Sequence, residues 1–503
     1  MKRVLSMILA LAMLCGVFAL TACGDAAGTT ATTPDPLGDA TGTGTKGTTQ
    51  TTGVAQPGDD PTAIRPGYEN VDFAGKTFLF ASPLDNADGW GDYEVYAEED
   101  GEGILDASII QRNNILLDNY DCFVAVEDIQ LGTLTNDFNT NQNTIDVVLF
   151  KYNMNSKSNG DYYNFYEVLG DEEIKQPWWD QGFIEDATIN GQIYTMLGAF
   201  SLTSFDATWV MFFNKVVKEG NENLRNIDFY QLVYDNEWTL DKFFELVKMA
   251  YHDDGDQEMA VGTNDIFGLV SSSFGIRGLY FGADQGYVVK TTEKDGTSTF
   301  THAFTQAAVE ATNKVIEIYA HSATATTDYV KVEAQMRSNT VLFSPEVLRK
   351  ASYYAGKQGS STDPVQIGVL PHPKLNAEQN NYKHNVDNHV IYMCIPKTCT
   401  DLDRIANFLD VYAYHSYLTV YTDYLNLYKY NYTTDTDSAV MVDYILNSRC
   451  FDLAYQYGWA SVDGEYLKGV EAGSNVVSEL QGSLGGAIVE AANTYRDGLP
   501  GNN

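Results

Sequence analysis

The chain has 503 residues and a formal net charge of −37, from 68 acidic and 31 basic side chains. So acidic a surface repels phosphate backbones, which excludes nucleic-acid binding through broad electrostatics. A hydrophobic fraction of 44% excludes wholesale disorder, and the length leaves room for two or three packed units.

Residues 1–22 predict a cleaved secretory signal. Lys2 and Arg3 precede a mostly apolar run from Val4 to Leu20, the order of charge and hydrophobicity in a signal peptide. The run ends at Leu20-Thr21-Ala22-Cys23-Gly24, which resembles the bacterial lipobox. In lipoproteins this cysteine carries the lipid and becomes the first residue. We therefore expect Cys23 to be lipidated and to hold the protein at the extracellular face of the cell membrane. An ordinary signal with a chance cysteine is the alternative.

Residues 23–66 predict the lipidated cysteine and a flexible tether. From Gly24 to Pro66 the chain is mostly Thr, Gly, Ala, Pro and Asp, without an aromatic residue. Such a segment cannot bury enough apolar surface to offset the entropy lost on ordering it. The pattern G-x-G-x-x-G at 42–47 has no strand before it and no helix after it, so it is an accident of composition.

The remaining residues, 67–503, predict a folded body whose first part alternates strands and helices. Strands are predicted at 73–81, 123–126 and 145–150, and helices at 104–120 and 134–139. This order at these lengths implies parallel strands in an open α/β sheet. Such a sheet binds ligands at the carboxyl ends of its strands.

A second set of α/β elements follows in the chain. Strands are predicted at 209–215, 268–270, 341–343, 367–371 and 390–396, and helices at 229–234, 239–251, 304–319 and 402–414. Thr239 is the expected N-cap of its helix, and Trp238 before it is expected to pack. Two sets of elements fit two lobes with a cleft between them.

Six short motifs lie along the body in a fixed order. They are Gly75-Lys76, Pro177-Trp178-Trp179-Asp180, Asn190-Gly191-Gln192-Ile193-Tyr194, Phe212-Phe213-Asn214-Lys215, Trp238-Thr239-Leu240-Asp241 and Gly368-Val369-Leu370-Pro371-His372-Pro373. This series resembles the extracellular solute-binding proteins of ABC importers, and within them family 1, the carbohydrate-binding group. The resemblance covers most of the body, from about Gly75 to Tyr414.

The resemblance implies an α/β, two-lobed, periplasmic-binding-protein-like (Venus flytrap) fold with a hinge between the lobes. Such a receptor closes on its solute and passes it to an ABC permease. The expected partners are a carbohydrate of oligosaccharide size and the permease, with the membrane reached only through the lipid. We expect a monomer without cofactor or catalytic activity.

Sugars are bound by aromatic rings that pack on their C–H faces and by polar side chains that bridge their hydroxyl groups. The candidate ligand-binding residues are Trp90, Trp178, Trp179, Asp180, Asp206, Trp209, Asp387 and Asn388. In a strand Trp178 and Trp179 would face opposite sides, so at most one of them stacks on a sugar. For each tryptophan core packing is the alternative, and for the polar residues a solvated turn.

Signals for metal binding and catalysis are weak. The carboxylate-dense region from Asp253 to Asp265 resembles the calcium-loop insert of some relatives, but it lacks the EF-hand spacing. A solvated acidic turn is the expected reading. The nucleophile elbow G-x-S-x-G and the zinc motif H-E-x-x-H do not occur in the sequence.

Four cysteines remain in the body once Cys15 leaves with the signal and Cys23 takes the lipid. They are Cys122, Cys394, Cys399 and Cys450. Four cysteines allow three pairings, and an extracytoplasmic site permits disulfides. We expect these cysteines to be reduced or only partly paired.

The leading hypothesis is a lipid-anchored sugar receptor of an ABC importer. A peptide or other solute receptor of the same fold is the first alternative, and a surface glycoside hydrolase or lyase the second. A structural adhesin is the third.

Overall fold

The computed structural model describes residues 55–83, 95–97, 103–151, 159–359, 361–433 and 435–500. The predicted signal peptide, Cys23, residues 24–54 of the predicted tether and Trp90 lie outside this range. Over the described residues no helix has both the length and the apolar character needed to cross a bilayer.

The strands of the structure are numbered in chain order. They are β1 Lys76–Pro83, β2 Cys122–Ile129, β3 Val147–Lys151, β4 Trp209–Asn214, β5 Phe267–Ser271, β6 Val288–Thr292, β7 Ser298–His302, β8 Thr324–Thr326, β9 Val341–Val347, β10 Ile367–Leu370, β11 His384–Asn385, β12 Ile391–Cys394 and β13 Arg449–Cys450.

The helices up to the second sheet's last strand are α1 Ile104–Tyr120, α2 Leu131–Thr140, α3 Phe165–Glu173, α4 Gln181–Ala187, α5 Leu202–Asp206, α6 Lys215–Gly220, α7 Phe229–Tyr234, α8 Leu240–Ala250, α9 Gly275–Gly282, α10 Gln306–Ala320, α11 Tyr329–Ser338 and α12 Lys350–Tyr354. Those that follow are α13 Leu402–Ser416, α14 Thr422–Asn426, α15 Thr436–Leu446, α16 Leu453–Gln456, α17 Val462–Glu471, α18 Val477–Ser483 and α19 Gly485–Asp497.

The first sheet has the order β12-β3-β1-β2. β1 runs parallel to both β2 and β3, and β12 is antiparallel to β3. The predicted parallel α/β sheet is therefore confirmed. Its face packs on α13 through aromatic rings, with Phe78 stacked on Phe408 at a centroid distance of 3.6 Å. The late strand β12 and α13 thus return the chain to the sheet in which the body began.

The second sheet has the order β10-β4-β9-β5-β8. β5, β8 and β9 are parallel to one another, while β4 and β10 are antiparallel neighbours. Trp238 is fully buried beside this sheet, and its Nε1 donates to the carbonyl oxygen of Pro371 at 2.7 Å. The expected N-cap is also confirmed, since the Thr239 hydroxyl accepts from the backbone N–H of Lys242. Two sheets built from alternating parts of the chain form the cores of two lobes.

Residues 55–66, the last part of the predicted tether, lie against the folded body. Arg65 is buried and pairs with Asp410 of α13 at 2.8 Å and with Glu173. Its backbone N–H donates to the Tyr120 hydroxyl at 2.9 Å. A buried arginine in a segment rich in small and polar residues gives no periodic signal, which is why the composition placed these residues in the tether.

The four cysteines of the body are free thiols in the structure, which agrees with the expectation that they are reduced or only partly paired. Cys122, Cys394 and Cys399 are buried. Burial raises the pKa of the Cys399 thiol to about 11, so this thiol stays protonated and unreactive near neutral pH.

Candidate ligand-binding cleft

A cavity of about 680 Å³ lies at the carboxyl ends of the three parallel strands of the second sheet. Phe274 and Arg277 follow β5, Tyr329 follows β8, and Glu346 lies at the end of β9. Carboxyl ends of parallel strands converge at one edge of a sheet, where α/β proteins bind their ligands. We call this cavity the cleft.

The other walls of the cleft come from distant parts of the chain. Trp209 is the first residue of β4, and residues 387–389 directly precede β12 of the first sheet. Residues 454–464, from α16 to the start of α17, close a third side. The cleft therefore combines groups from the second sheet, from the segment that returns to the first sheet, and from the C-terminal helices.

A buried charge cluster forms the floor of the cleft. The Arg277 guanidinium makes two hydrogen bonds to the Asp463 carboxylate, at 2.7 and 2.5 Å, and a third to Asp387 at 3.2 Å. It also stacks over the Tyr455 ring, with 4.3 Å from Cζ to the ring centroid. A bidentate arginine with two carboxylates satisfies the charges that burial would otherwise leave uncompensated.

Asp387 is the centre of this cluster. Its Oδ2 accepts from Trp209 Nε1 at 3.1 Å and from the Tyr455 hydroxyl at 3.1 Å, and its Oδ1 contacts His389 Nδ1 at 2.5 Å. Burial alone would raise its pKa, but the bond to His389, the charge of Arg277 and the bond from Trp209 together lower the pKa to about 2. With its oxygens engaged, Asp387 holds the wall in place.

An aromatic pair stands at the mouth of the cleft. The rings of Phe274 and Tyr329 are stacked, with centroids 6.0 Å apart and planes 20° from parallel. Phe274 is 39% exposed and Tyr329 is 41% exposed. Exposed rings at the edge of a concave site offer flat apolar faces of the kind that ligand sites use.

Glu346 presents a carboxyl group to the cleft with few partners. It is 1% exposed, and its Oε1 has no hydrogen-bond partner among the described residues. Burial raises its pKa to about 7, with the nearby charge of Lys350 opposing and that of Glu333 adding to the shift. Lys350 itself pairs with Glu333 at 3.0 Å.

The structure brings three predicted site residues, Trp209, Asp387 and Asn388, into the cleft. Trp209 is only 2% exposed, so its ring supports the wall and its edge reaches the cavity. Asn388 is half-buried and its side-chain oxygen lies 3.4 Å from the Tyr455 hydroxyl.

Trp178, Trp179 and Asp180 line a different, smaller cavity of about 410 Å³, which we call the Trp178 cavity. Trp178 Nε1 donates to Asp410 at 2.9 Å, and Asp180 caps α4 and pairs with Arg449 at 2.7 Å. Both tryptophans are buried, although Trp179 Nε1 has no acceptor within the described part of the chain. These contacts serve packing, and a ligand-binding role for the three residues stays a prediction.

Asp206 lies in neither cavity. It is buried at the end of α5, where its Oδ1 accepts from the hydroxyl groups of Tyr424 at 3.0 Å and Tyr428 at 2.5 Å. Both tyrosines belong to the helical region after α13. Asp206 therefore ties that region to the second sheet, and its ligand-binding role also stays a prediction.

Sequence reasoning missed several lining residues of the cleft. They are Phe274, Arg277, Tyr329, Glu346, Tyr455 and Asp463. Phe274 follows a predicted strand, so the carboxyl-end rule applied to the second sheet would have found it. Tyr455 and Asp463 come from the C-terminal region, which carries no sequence signal that links it to the cleft.

A cavity of similar size, about 690 Å³, has a different character. Lys290 Nζ there donates to the carbonyl oxygens of Asp186 and Thr188, and Asp452 accepts from the backbone of Tyr287. Its aromatic residues, Phe281 and Phe451, are buried. Its polar groups mainly hold the surrounding backbone, so it is the weaker candidate.

Four carboxylates of the predicted acidic turn lie together. Oxygens of Asp253, Asp254, Asp256 and Asp265 are within 4.8 Å of one another, close enough to hold one cation. However, Asp265 already accepts from the backbone N–H groups of Asp254 and Ala260, which lower its pKa. The turn is thus stable on its own hydrogen bonds.

The fold was compared with known proteins. No model of a protein family and no curated protein matches the sequence. Solved structures do match. The galacto-N-biose-/lacto-N-biose I-binding protein of the ABC transporter from Bifidobacterium longum, in complex with lacto-N-biose, has a TM-score of 0.53 and 13% identity, covering 84% of this chain and 98% of that one.

Two further structures match over a similar length. A cyclo/maltodextrin-binding protein complexed with maltotetraose gives a TM-score of 0.51 at 12% identity, covering 84% of this chain and 97% of that chain. The cyclic alpha-maltosyl-1,6-maltose binding protein from Arthrobacter globiformis gives 0.50 at 10% identity, covering 84% and 98%. At identities this low, the three structural matches establish the fold alone.

The chain therefore has the two-lobed fold of the periplasmic binding proteins, as found in the sugar-binding proteins of ABC transporters. The family resemblance of the sequence is confirmed at this level. The structural neighbours are binding proteins.

Proposed function

We propose that the protein is a lipid-anchored extracellular receptor that captures a carbohydrate in the cleft and delivers it to an ABC permease. The observation that carries the proposal is the cleft itself. A cavity of about 680 Å³ has an exposed aromatic pair, Phe274 and Tyr329, and a carboxyl oxygen of Glu346 that has no partner among the described residues. Apolar faces with a few fixed polar groups recognise a sugar's C–H faces and hydroxyl groups.

The pairing of the carboxylates inside the cleft supports binding without catalysis. Two of its carboxylates, Asp387 and Asp463, are held by Arg277. A glycoside hydrolase needs one carboxylic acid and one free carboxylate on either side of the scissile bond. With Asp387 and Asp463 engaged, Glu346 has no free carboxylate as its partner among the lining residues. The proposed receptor therefore leaves its sugar intact.

Thermal unfolding with a panel of oligosaccharides tests the proposal. Maltotetraose and lacto-N-biose, the ligands of two structural neighbours, come first in the panel. A ligand that binds only the folded state at about 100 times its Kd adds ~2.7 kcal/mol to the free energy of unfolding, which raises the Tm. A shift with peptides and with no sugar would favour the peptide receptor, and sugar fragments after long incubation would favour the hydrolase.

A matched pair of variants locates the site. Phe274→Ala removes an exposed ring of the cleft, and Phe123→Ala removes a ring that is 44% exposed on β2 of the first sheet. We expect the first variant to weaken sugar binding by about tenfold or more, which corresponds to ~1.4 kcal/mol, and the second to bind like the wild type. Equal affinities for the two variants would place the sugar elsewhere.

The proposed anchor has a separate test. In the native host, Cys23→Ala removes the thiol that would carry the lipid, and we expect the variant to lose the labelled fatty acid that the wild type incorporates. Two acyl chains hold a protein stably at a bilayer, whereas none of the chain's own described helices could do so. A variant that incorporates the labelled fatty acid as the wild type does would contradict lipidation at Cys23.

A further inference from the structure

Glu346 occupies a fixed position at the edge of the cleft. It lies at the end of β9, where its backbone is paired with Val210 of β4 and its side chain lines the cavity. The side chain is 1% exposed, and Oε1 has no donor within the described structure. A buried polar atom without a partner is costly, so the site is complete only when something supplies a donor.

Two of the cations that line the cleft with Glu346, Lys350 and Arg277, are committed to other acids. Lys350 pairs with Glu333, which also accepts from Arg337 Nε at 2.9 Å. Arg277 is held by Asp387 and Asp463. The titratable and charged groups that surround Glu346 in the cleft and on the packed helices are Arg277, Tyr319, Tyr329, Glu333, Arg349, Lys350, Tyr353, Tyr354, Asp387, His389, Tyr455 and Asp463.

We propose that Glu346 is the residue that selects a hydrogen-bond donor of the ligand, a sugar hydroxyl, and that binding of this donor drives the carboxyl proton of Glu346 into solvent. The inference rests on the proposed function and makes it more specific. In the step the O–H bond of the carboxyl group breaks, its proton goes to the buffer, and the carboxylate accepts the ligand hydroxyl.

Two opposing effects decide whether the carboxyl group ionises. A bound ligand removes water, which favours the neutral acid, but Glu346 is already almost fully buried, so this change is small. A hydrogen bond to a carboxylate is roughly twice as strong as one between neutral groups. Since burial has raised the pKa to about 7, ionisation near neutral pH costs little, and the stronger bond wins.

The sign of the pH dependence follows. Below pH 7 the empty site holds the neutral acid, and the ligand must displace a proton to obtain the stronger bond. Affinity therefore falls as the pH falls, by up to about tenfold for each pH unit. Above about pH 8 the carboxyl group is already ionised in the empty cleft, and affinity no longer changes with pH.

Isothermal titration calorimetry in two buffers of different ionisation enthalpy tests the inference. The probes are maltotetraose and lacto-N-biose, followed by the other sugars of the panel. At about pH 7 we expect the wild type to release up to about half a proton for each sugar bound, because about half of the sites are neutral at the pKa. Glu346→Gln keeps an acceptor oxygen but has no ionisable proton, so we expect no release and an affinity that is constant from about pH 5.5 to pH 8.

Glu479→Gln is the control, because it removes an exposed carboxyl group of α18, outside the cleft, and leaves Glu346 in place. We expect proton release to persist in this variant. Proton release that is equal in Glu346→Gln and the wild type, or a wild-type affinity that does not change with pH, would overturn the inference and leave the sugar receptor standing. Failure of every sugar to bind the wild type would overturn both.

Discussion

The cleft and the Trp178 cavity contain the same kinds of residue, but they differ in how many of these residues are buried and hydrogen-bonded. Each has a tryptophan whose indole N–H donates to a buried aspartate, at 3.1 Å for Trp209 and 2.9 Å for Trp178. Each has an arginine paired with an aspartate, Arg277 in the cleft and Arg449 in the Trp178 cavity. Around the Trp178 cavity, however, the described aromatic residues are buried or half-buried.

The difference lies in what remains after the internal contacts are made. The cleft keeps two exposed rings and a carboxyl oxygen that has no donor in the described part of the chain. In the Trp178 cavity the carboxylate of Asp180 is held by Arg449 and by the backbone of α4. Residue type alone cannot separate binding from packing. The hydrogen bonds of the lining carboxylates and the exposure of the rings separate the two cavities, although Trp179 Nε1 of the Trp178 cavity has no acceptor within the described residues.

The two arginines give the largest expected effect. Arg277→Ala leaves the buried Asp387 and the half-buried Asp463 without their cation, and Arg449→Ala does the same to the side chain of Asp180. Breaking a buried pair from one side costs about 3–5 kcal/mol, so we expect both variants to lose stability in urea unfolding. Only Arg277→Ala should also lose sugar affinity. A loss of affinity in Arg449→Ala would show that the Trp178 cavity takes part in binding.

Near Trp178, the titration of His415 should make the stability depend on pH in one direction. His415 lies next to Tyr414, which packs on Trp178, and its ring contacts the Tyr120 hydroxyl at 2.9 Å. Burial lowers its pKa to about 4, so the unfolded chain binds a proton that the folded protein refuses. Stability is therefore lost as the pH falls from about 6.5 towards 4, by up to ~3 kcal/mol. In urea unfolding, His415→Gln should show a shallower loss, and an unchanged slope would contradict this origin.

For the cleft the direction should be reversed. The pKa of Glu346 is raised to about 7, above the unfolded value of roughly 4.3. The stability linked to this group is complete below that value and is lost as the pH rises through 7, by up to ~3 kcal/mol. Without ligand, Glu346→Gln should therefore gain stability relative to the wild type between about pH 5 and pH 8. A difference in stability that is constant with pH would show that Glu346 is ionised throughout.

The two tryptophans give the smallest expected effect. Trp209→Phe and Trp178→Phe each remove one hydrogen bond to a buried aspartate, which is worth about 1.5–3 kcal/mol when the acceptor is charged. Asp387 keeps three other partners, so we expect Trp209→Phe to cost less stability than Trp178→Phe. Calorimetry with the sugar probes should show weaker binding for Trp209→Phe alone. Weaker binding by Trp178→Phe would contradict its assignment to packing.

Much of the fold could be predicted from the periodicity of the chain. The helices at 104–120 and 229–234 have the predicted bounds, and the parallel strands of the first sheet follow from the alternation of elements. The helices after Ser416 were not assigned, because their apolar residues contact several neighbours and give no single face. Short pieces such as β8 and β11 depend on their partners in the sheet and have no local signal of their own.

The cleft was predictable in part for the same reason. Asp387 and Trp209 border buried strands, so a search of strand ends finds them. The carboxylate of Asp387 nevertheless accepts hydrogen bonds from Arg277, Trp209 and Tyr455, which come from three other parts of the chain. Whether a group is left for the ligand depends on such long-range contacts, and a linear pattern does not contain them.

The charge cluster of the cleft also limits how the protein can move. Arg277 belongs to α9, Asp463 to α17, and Asp387 to the segment that enters the first sheet. Thermal energy is about 0.6 kcal/mol, far below the several kcal/mol needed to separate a buried ion pair. We therefore expect these three segments to move together as one rigid unit when the lobes open and close. The flexible points of the hinge must then lie outside this unit. The rings of Phe274 and Tyr329 would move with it towards the sugar.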